Sequence, residues 1–430
     1  MSEDFISGHN KRKIINDPVY GFISVPSDLV FDLIEHPYFQ RLRRIRQLGL
    51  TFYVYPAANH TRFQHALGAV HLMNSALDVI ERKGSAITDE ERFGANAAIL
   101  LHDIGHGPFS HALENSIVEN LDHERLSILY MQALNQQFGG RLEAAIRIFR
   151  NEYPRFFLHQ LVSSQLDMDR LDYLNRDSFF TGVTEGVVGS ERIIKMLRVV
   201  DDQLVVDRKG IYSIEKYLIS RRLMYWQVYL HKTVIAAEQM LVHALKRARE
   251  LAWNGDKLFA TPALGEFLFP GKLSDNPLSD PARLLECYSR LDDNDIFTAL
   301  KVWSDHPDRI LSLLSSGLLN RKLLAIRVTK TPSDPNLLES MRMTLVREHR
   351  FTAEEAAYLV FADRVSNSAY TGDDEQIFFY DNSGQLLSLT ETSDIVNVPL
   401  LSTSDSKYFI CYPKWLFSSG SDNNHDQRVV

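Results

Sequence analysis

The stretch Leu100-Leu101-His102-Asp103-Ile104-Gly105-His106-Gly107-Pro108-Phe109-Ser110-His111 decides how this chain folds and what it can do. It sets an adjacent His-Asp pair and two further histidines into twelve residues. Upstream, residues 88–101 read as a helix, with Thr88 and Glu91 as its capping box. Phe93, Ala97, Leu100, Leu101 and Ile104 fall at helical spacing and form its expected buried stripe. His102 and Asp103 therefore belong at the inner end of a buried helix. Charged groups in such a place must be paired or metal-bound, because an unpaired buried charge is very costly.

Working outward, the 430 residues suffice for two or three domains, or for one large domain with an appendage. A hydrophobic content of 45% supports a sizeable core. The net charge of −8 argues against a surface built for nucleic acid. Two distant cysteines, Cys287 and Cys411, lack metal-ligand spacing and point to a reducing, cytoplasmic setting without disulfides. No apolar run is long enough to span a bilayer, and the N-terminus lacks a signal-peptide core.

Along the chain, residues 13–25 read as a hairpin turning at Asn16-Asp17-Pro18. Residues 28–48 read as helical with a break at Pro37, 60–83 as a helix stopping at Gly84, and 88–180 as mostly helical. Leu197 to Tyr212 predicts a small hairpin turning at a Lys-Gly pair, and 214–253 one long helix. Residues 257–318 read as helices and loops. Strands follow at Leu323–Val328, Gln376–Tyr380 and Gln385–Thr390, the last two joined at Asn382-Ser383-Gly384, with a helix near 353–362 between. The expected organisation is an N-terminal hairpin segment (1–27), a helical catalytic core (28–255), a helical and α+β region (256–417) and a disordered tail (418–430).

Four residues form one candidate metal site: His65, His102, Asp103 and Asp169. Two neutral imidazoles and two carboxylates neutralise a divalent ion. Nitrogen donors favour iron, manganese, nickel or zinc, with magnesium reserved for substrate phosphates. Each ligand lies in a segment that also carries phosphate-suited groups. Thr61 and Gln64 cap a helix whose first turn holds Arg62 near His65. If residues 166–177 are helical, Asp169, Tyr173, Arg176 and Asp177 share a face and present a ligand, a phenol and a charged pair to one substrate.

These residues resemble the HD-domain phosphohydrolase superfamily, and more narrowly the deoxynucleoside triphosphate triphosphohydrolases: SAM-and-HD-domain dNTPases and bacterial dGTPase-like relatives. The matching strings are Gln40-Arg41-Leu42-Arg43, Gln47-Leu48-Gly49, Arg62-Phe63-Gln64-His65, the His102–His111 run, His123-Glu124, Asp167 to Tyr173, and Arg221 to Lys232. The resemblance covers roughly residues 12–250. It implies a mainly α fold, with an HD-type helical core, small β-hairpins and a C-terminal α+β region. It also implies attack of a metal-held water on the α-phosphorus, giving a deoxynucleoside and triphosphate. Arg62, Arg170, Tyr173 and Arg221 then correspond to groups on the phosphate chain, where guanidinium forks suit paired oxygens. His111 is the first choice to protonate the departing oxygen, with His123 and Glu114 tuning it and His106 in support. Gln47 and Asp177 correspond to groups holding the 3′-hydroxyl, and Leu48 and Tyr229 to groups excluding ribose.

Arg41, Arg43, Arg44 and Arg46 give four arginines in six residues. One reading is a solvated helix face. The resemblance offers another, a guanine-nucleotide effector site formed by Glu35, Gln40, Arg43 and Lys13 at a subunit interface, with Glu35 where aspartate is expected. It implies a homodimer or homotetramer. Arg170 stands where lysine often occurs in the family, and Gly49-Leu50-Thr51 replaces a more glycine-rich turn. Two alternatives remain open: an HD-type nucleotidase or phosphodiesterase on another nucleotide, such as a guanosine alarmone, and a nucleotide-sensing or nucleic-acid-binding module. The overall acidity counts against the last.

Overall fold

Capping and spacing place the helices where the local signals point. The computed structural model describes residues 13–109, 113, 121–273, 277–367, 376–381, 383–393 and 405–417. The chain divides into two units. The first gathers Met1–Met224, Leu273–Asp293 and Ala369–Thr403; the second gathers Tyr225–Lys272, Asn294–Ser368 and Ser404–Val430. The expected border at 255 is thus not where the units part.

In the first unit, strands Ile14–Asp17 and Gly21–Ser24 form the N-terminal hairpin. Helix Asp28–Glu35 stops before Pro37, which opens the short helix Pro37–Gln40. At the centre lies helix Arg62–Arg82, started by the Thr61/Gln64 capping box. It packs against helices Asp89–Leu101 and Met168–Thr181. Asp89–Leu101 has the expected Thr88/Glu91 box, and Ala97, Leu100, Leu101 and Ile104 are fully buried; Phe93 is half-buried. Helices His123–Gln137, Glu143–Phe149 and Phe156–Val162 enclose this core.

Two expectations need correction. The hairpin Leu197–Val200/Gln203–Asp207 turns at Asp201-Asp202, both left-handed (φ +48° and +63°), and not at Lys209-Gly210. Aspartate tolerates that conformation, so the pair makes the two-residue turn. Lys209-Gly210 instead belongs to a 3₁₀ turn leading into helix Ile211–Met224. The single helix expected over 214–253 is interrupted. Met224 passes into a π-helical turn, Tyr225–Tyr229, and a new helix, Lys232–Trp253, starts after His231, whose Nδ1 accepts the Thr233 N–H at 3.2 Å.

Strands Phe378–Tyr380 and Leu386–Ser388 join the first unit's sheet, where Val206 pairs in parallel with Phe379. Asn382 and the 418–430 tail lie outside the described residues.

The second unit packs helix Lys232–Trp253 on helix Arg309–Leu319. Beside them is an antiparallel sheet in which Asp405–Tyr412 runs between Ala325–Thr329 and Phe361–Asn367. The helix expected near 353–362 ends at Leu359, because Phe361 onward pairs with Asp405–Tyr412. Helix Pro335–His349 and two of these three strands were not anticipated.

Candidate metal centre

Three helices of the first unit deliver the site. His65 lies one turn into Arg62–Arg82, His102 caps the end of Asp89–Leu101, and Asp169 sits in the first turn of Met168–Thr181. Asp169 Oδ1 is 3.1 Å from His65 Nε2 and 3.4 Å from His102 Nε2, and the two Nε2 atoms are 3.4 Å apart. Asp103 Oδ1 lies 3.4 Å from His102 Nε2 and 3.3 Å from His106 Nε2. Asp103 thus faces two groups at once: the His65–His102–Asp169 cluster and a neighbouring one with His106 and His123. His106 and His123 stack at 3.9 Å.

The far side of each imidazole decides what the near side can do. His65 Nδ1 donates to Asp172 Oδ2 at 2.7 Å, and His102 Nδ1 donates to the Ile99 carbonyl at 2.6 Å. Both partners can only accept, so each neutral ring keeps its lone pair on Nε2. Two such lone pairs and the carboxylates of Asp103 and Asp169 then meet, and the donors they face among the described residues, the guanidinium of Arg62 and the ring of His106, both go to Asp103. Acceptors at these separations repel unless a cation lies between them, and a divalent ion fits that need.

The electrostatics express the same demand. Burial opposes charge on His65, yet hydrogen bonds with Asp169 and Asp172 push its pKa up to about 10. His102 is raised too: burial disfavours its charge, and Asp103 and Asp169 outweigh that. Burial disfavours ionisation of Asp103 and Asp169, but the surrounding cationic groups hold both below the usual carboxylate range. His106 goes the other way: burial, then the charge of Arg62, keeps it neutral.

A buried cation holds the loop that follows. Arg41, fully buried, donates through Nη2 to the carbonyls of Ile104 (2.7 Å) and His106 (2.9 Å). Its guanidinium lies between the rings of Tyr130 and Tyr288, 5.7 and 5.3 Å from their centroids. Ser127 Oγ accepts the Gly105 N–H at 2.9 Å and donates to the His102 carbonyl at 2.7 Å. Only glycine fits at 105, since a Cβ there would come within 2.2 Å of the His123 carbonyl. Phe109 takes a left-handed φ of +55°, with its N–H held by Asp293 Oδ1 at 3.0 Å.

The expected substrate residues fall in several places. Arg170 pairs with the buried Asp167, and Arg221 Nη1 donates to Gln165 Oε1 at 2.9 Å. Tyr217 lies among Arg221, Asp167, Arg170 and Asp169, whose charges all act on its phenol. Gln47, Leu48 and Tyr173 are half-buried. Asp177 is buried and bonds His60 Nε2 at 2.8 Å. Tyr229 belongs to the second unit. Sequence reading missed His60, whose side chain meets Asp177 while its carbonyl accepts the Gln47 N–H at 3.0 Å. It also placed Arg176 toward the substrate. Arg176 is instead fully buried against Asp172 and Asp17, because a guanidinium with two carboxylates in reach has no reason to face solvent. His111 and Glu114 lie outside the described residues.

Among the expected effector residues, Arg43 Nε donates to Gln40 Oε1 at 2.8 Å and its guanidinium lies 3.6 Å from the Phe63 ring centroid. Lys13 Nζ sits 4.5 Å from that of Phe31. Glu35, Arg43 and Lys13 are exposed. Among the described residues no helix is long and apolar enough to cross a membrane.

Residues 62–177 match the HD domain family, and residues 188–259 match the HD associated region. The chain is 34% identical to the uncharacterised protein YwfO of Bacillus subtilis, over 96% of this chain and 94% of that one. It is 32% identical to the deoxynucleoside triphosphate triphosphohydrolase SAMHD1 homolog of Dictyostelium discoideum, over 59% of this chain and 52% of that protein. The crystal structure of a phosphohydrolase from Bacteroides thetaiotaomicron superposes with a TM-score of 0.90 at 51% identity, covering 93% of this chain and 99% of its own. With its histidines and aspartates converging from three helices and these matches spanning nearly its whole length, the chain belongs to the HD-domain phosphohydrolases.

Proposed function

We propose that the chain is a metal-dependent triphosphohydrolase that cleaves deoxynucleoside triphosphates to deoxynucleoside and triphosphate. The observation that carries this reading is the company the metal centre keeps: Arg62 pairs with Asp103, and Arg170 and Arg221 share the surroundings of Tyr217 with Asp169. Three arginines suit a polyphosphate better than a single phosphate, since a triphosphate carries about three to four negative charges. The Dictyostelium relative, named a triphosphohydrolase, supports the same substrate class.

His65, His102, Asp103 and Asp169 would hold the ion, with iron, manganese, nickel or zinc best suited to the mixed nitrogen and oxygen donors. When bound, the ion supplies Lewis acidity and makes a water nucleophilic near neutral pH. The chain's own groups do the rest. Arg62, Arg170, Arg221 and Tyr173 grip the phosphate chain, which requires Arg62 and Arg170 to exchange carboxylate partners for phosphate oxygens. Neutral His106 stays available beside Asp103, and His111, tuned by His123 and Glu114, would deliver the proton to the departing 5′-oxygen. Gln47 and Asp177 take the 3′-hydroxyl, with Leu48 against the 2′ side.

The test incubates the protein with each dNTP, each rNTP and a guanosine alarmone in the presence of Mn²⁺, and separates the products by ion-exchange chromatography. Inorganic triphosphate from dNTPs is expected. Release of pyrophosphate or phosphate alone, or turnover of the alarmone alone, overturns the assignment. A guanine nucleotide acting at Glu35, Gln40, Arg43 and Lys13 would raise the rate by favouring an assembled dimer or tetramer. A rate and sedimentation profile indifferent to added GTP or dGTP removes that part of the reading.

A further inference from the structure

The N-terminal hairpin reaches the metal centre through a chain of buried ion pairs. Asp17 closes the hairpin turn: its Oδ1 accepts the Val19 and Tyr20 N–H groups, each at 3.0 Å. Its Oδ2 accepts from Arg176 Nη1 at 2.7 Å. Arg176 then spans Asp172, with Nε to Oδ2 at 2.9 Å and Nη2 to Oδ1 at 3.0 Å. Asp172 Oδ2 in turn accepts from His65 Nδ1 at 2.7 Å. Arg176, Asp172 and His65 are fully buried, and Asp17 is 8% exposed. Helix Arg62–Arg82 makes room for them with Gly68, where a Cβ would fall 1.9 Å from Asp172 Oδ1 and 2.2 Å from Arg176 Nη2.

We propose that Asp17 is a positioning residue for the metal centre. Through Arg176 and Asp172 it fixes the ring of His65 and the tautomer that turns the Nε2 lone pair inward. Without Asp17, Arg176 has an unpaired donor in a dry site and gains freedom to swing, and Asp172 swings with it. Partners one step behind a metal ligand typically govern metal affinity by 10–100-fold. The proposal rests on His65 being a metal ligand.

The test measures Mn²⁺ binding by the intact protein, with free ion read by electron paramagnetic resonance, alongside thermal unfolding. Asp17→Asn suits it because the amide oxygen can still accept from Val19 and Tyr20. Its NH₂ takes the place of Oδ2 and faces the Nη1 donor of Arg176, so the short Asp17–Arg176 bond is lost and only the long 3.4 Å contact of Nη2 with Oδ1 is left. The expected result is a Kd about tenfold weaker. Ile23→Ala, which empties a buried position in the same hairpin, should lower Tm while leaving the Kd within about twofold. A wild-type Kd in Asp17→Asn, or equal weakening in Ile23→Ala, overturns the proposal and leaves the hairpin as a stabilising element only. Should Asp17→Asn fail to fold, Arg176→Lys asks the same question, since one ammonium cannot fork across Asp172 and also reach Asp17. About tenfold weaker binding is again expected, and unchanged binding overturns the idea. A wild-type protein that binds no Mn²⁺ instead sinks the metal-site reading itself, so the two failures are told apart.

Discussion

The two units bury very different things. The first encloses Asp17, Arg41, Arg62, His65, Asp103, Asp172, Arg176 and Arg221. In the second, Ser315 is the one buried residue among those described that is neither apolar nor aromatic, and the core is Met240, Leu241, Trp303, Leu314 and their like. Glu238 comes closest to an exception: its residue is half-buried, yet desolvation of its carboxyl pushes the pKa up to about 7. Buried charge is tolerated only where each group has a partner, and it tends to mark sites of chemistry. The contrast teaches that chemistry belongs to the first unit, while the second is held by apolar packing.

Four changes test that contrast. Asp103→Ala or His65→Ala should cut hydrolysis at least about a thousandfold, with loss of bound metal by elemental analysis and an intact helical circular-dichroism signal. Full activity in a metal-free Asp103→Ala protein would place the chemistry elsewhere. In the second unit, Trp303 is fully buried with its indole N–H on the Phe259 carbonyl at 2.9 Å. Trp303→Ala should cost about 3–5 kcal/mol of stability in denaturant melts while leaving Mn²⁺ affinity alone. An altered affinity would blur the division. Arg221→Ala should raise KM for a dNTP about ten- to a hundredfold with a smaller effect on kcat; an unchanged KM removes Arg221 from the phosphate site.

The smallest effect concerns pH. Burial keeps Glu238 protonated in the folded chain up to about pH 7, whereas the unfolded carboxyl ionises near 4.5. Between those values ionisation favours the unfolded state, so this group makes stability fall as pH rises from 4.5 to 7, with no further change above. Glu238→Gln should flatten that slope by on the order of 1 kcal/mol in melts across the range. Parallel curves for the two proteins would show that water reaches the carboxyl.

Much of the first unit was legible because its signals are local. The Thr88/Glu91 and Thr61/Gln64 boxes, the break at Pro37 and the turn at Asp17 each act within a few residues. The histidines and aspartates that converge stood out because so many ligand-type residues crowd short segments. What stayed hidden depends on distant partners. Asp17 and Arg176 lie 159 positions apart in the sequence. Asp405–Tyr412 gains its meaning only between two other strands, and the parallel pairing of Val206 with Phe379 has no local signature. The interruption at Tyr225–Tyr229 escaped because an extra residue in a helical turn leaves the apolar spacing almost unchanged.

Arg41 and Arg43 stand two places apart in one arginine-rich run, yet one is wholly enclosed against main-chain oxygens and the other points outward. Someone classifying inherited or laboratory variants by neighbourhood would lump them together. Their phenotypes should part: damage at position 41 would surface as a misshapen His-Asp loop and a poorly metallated protein, whereas damage at 43 would leave that loop whole.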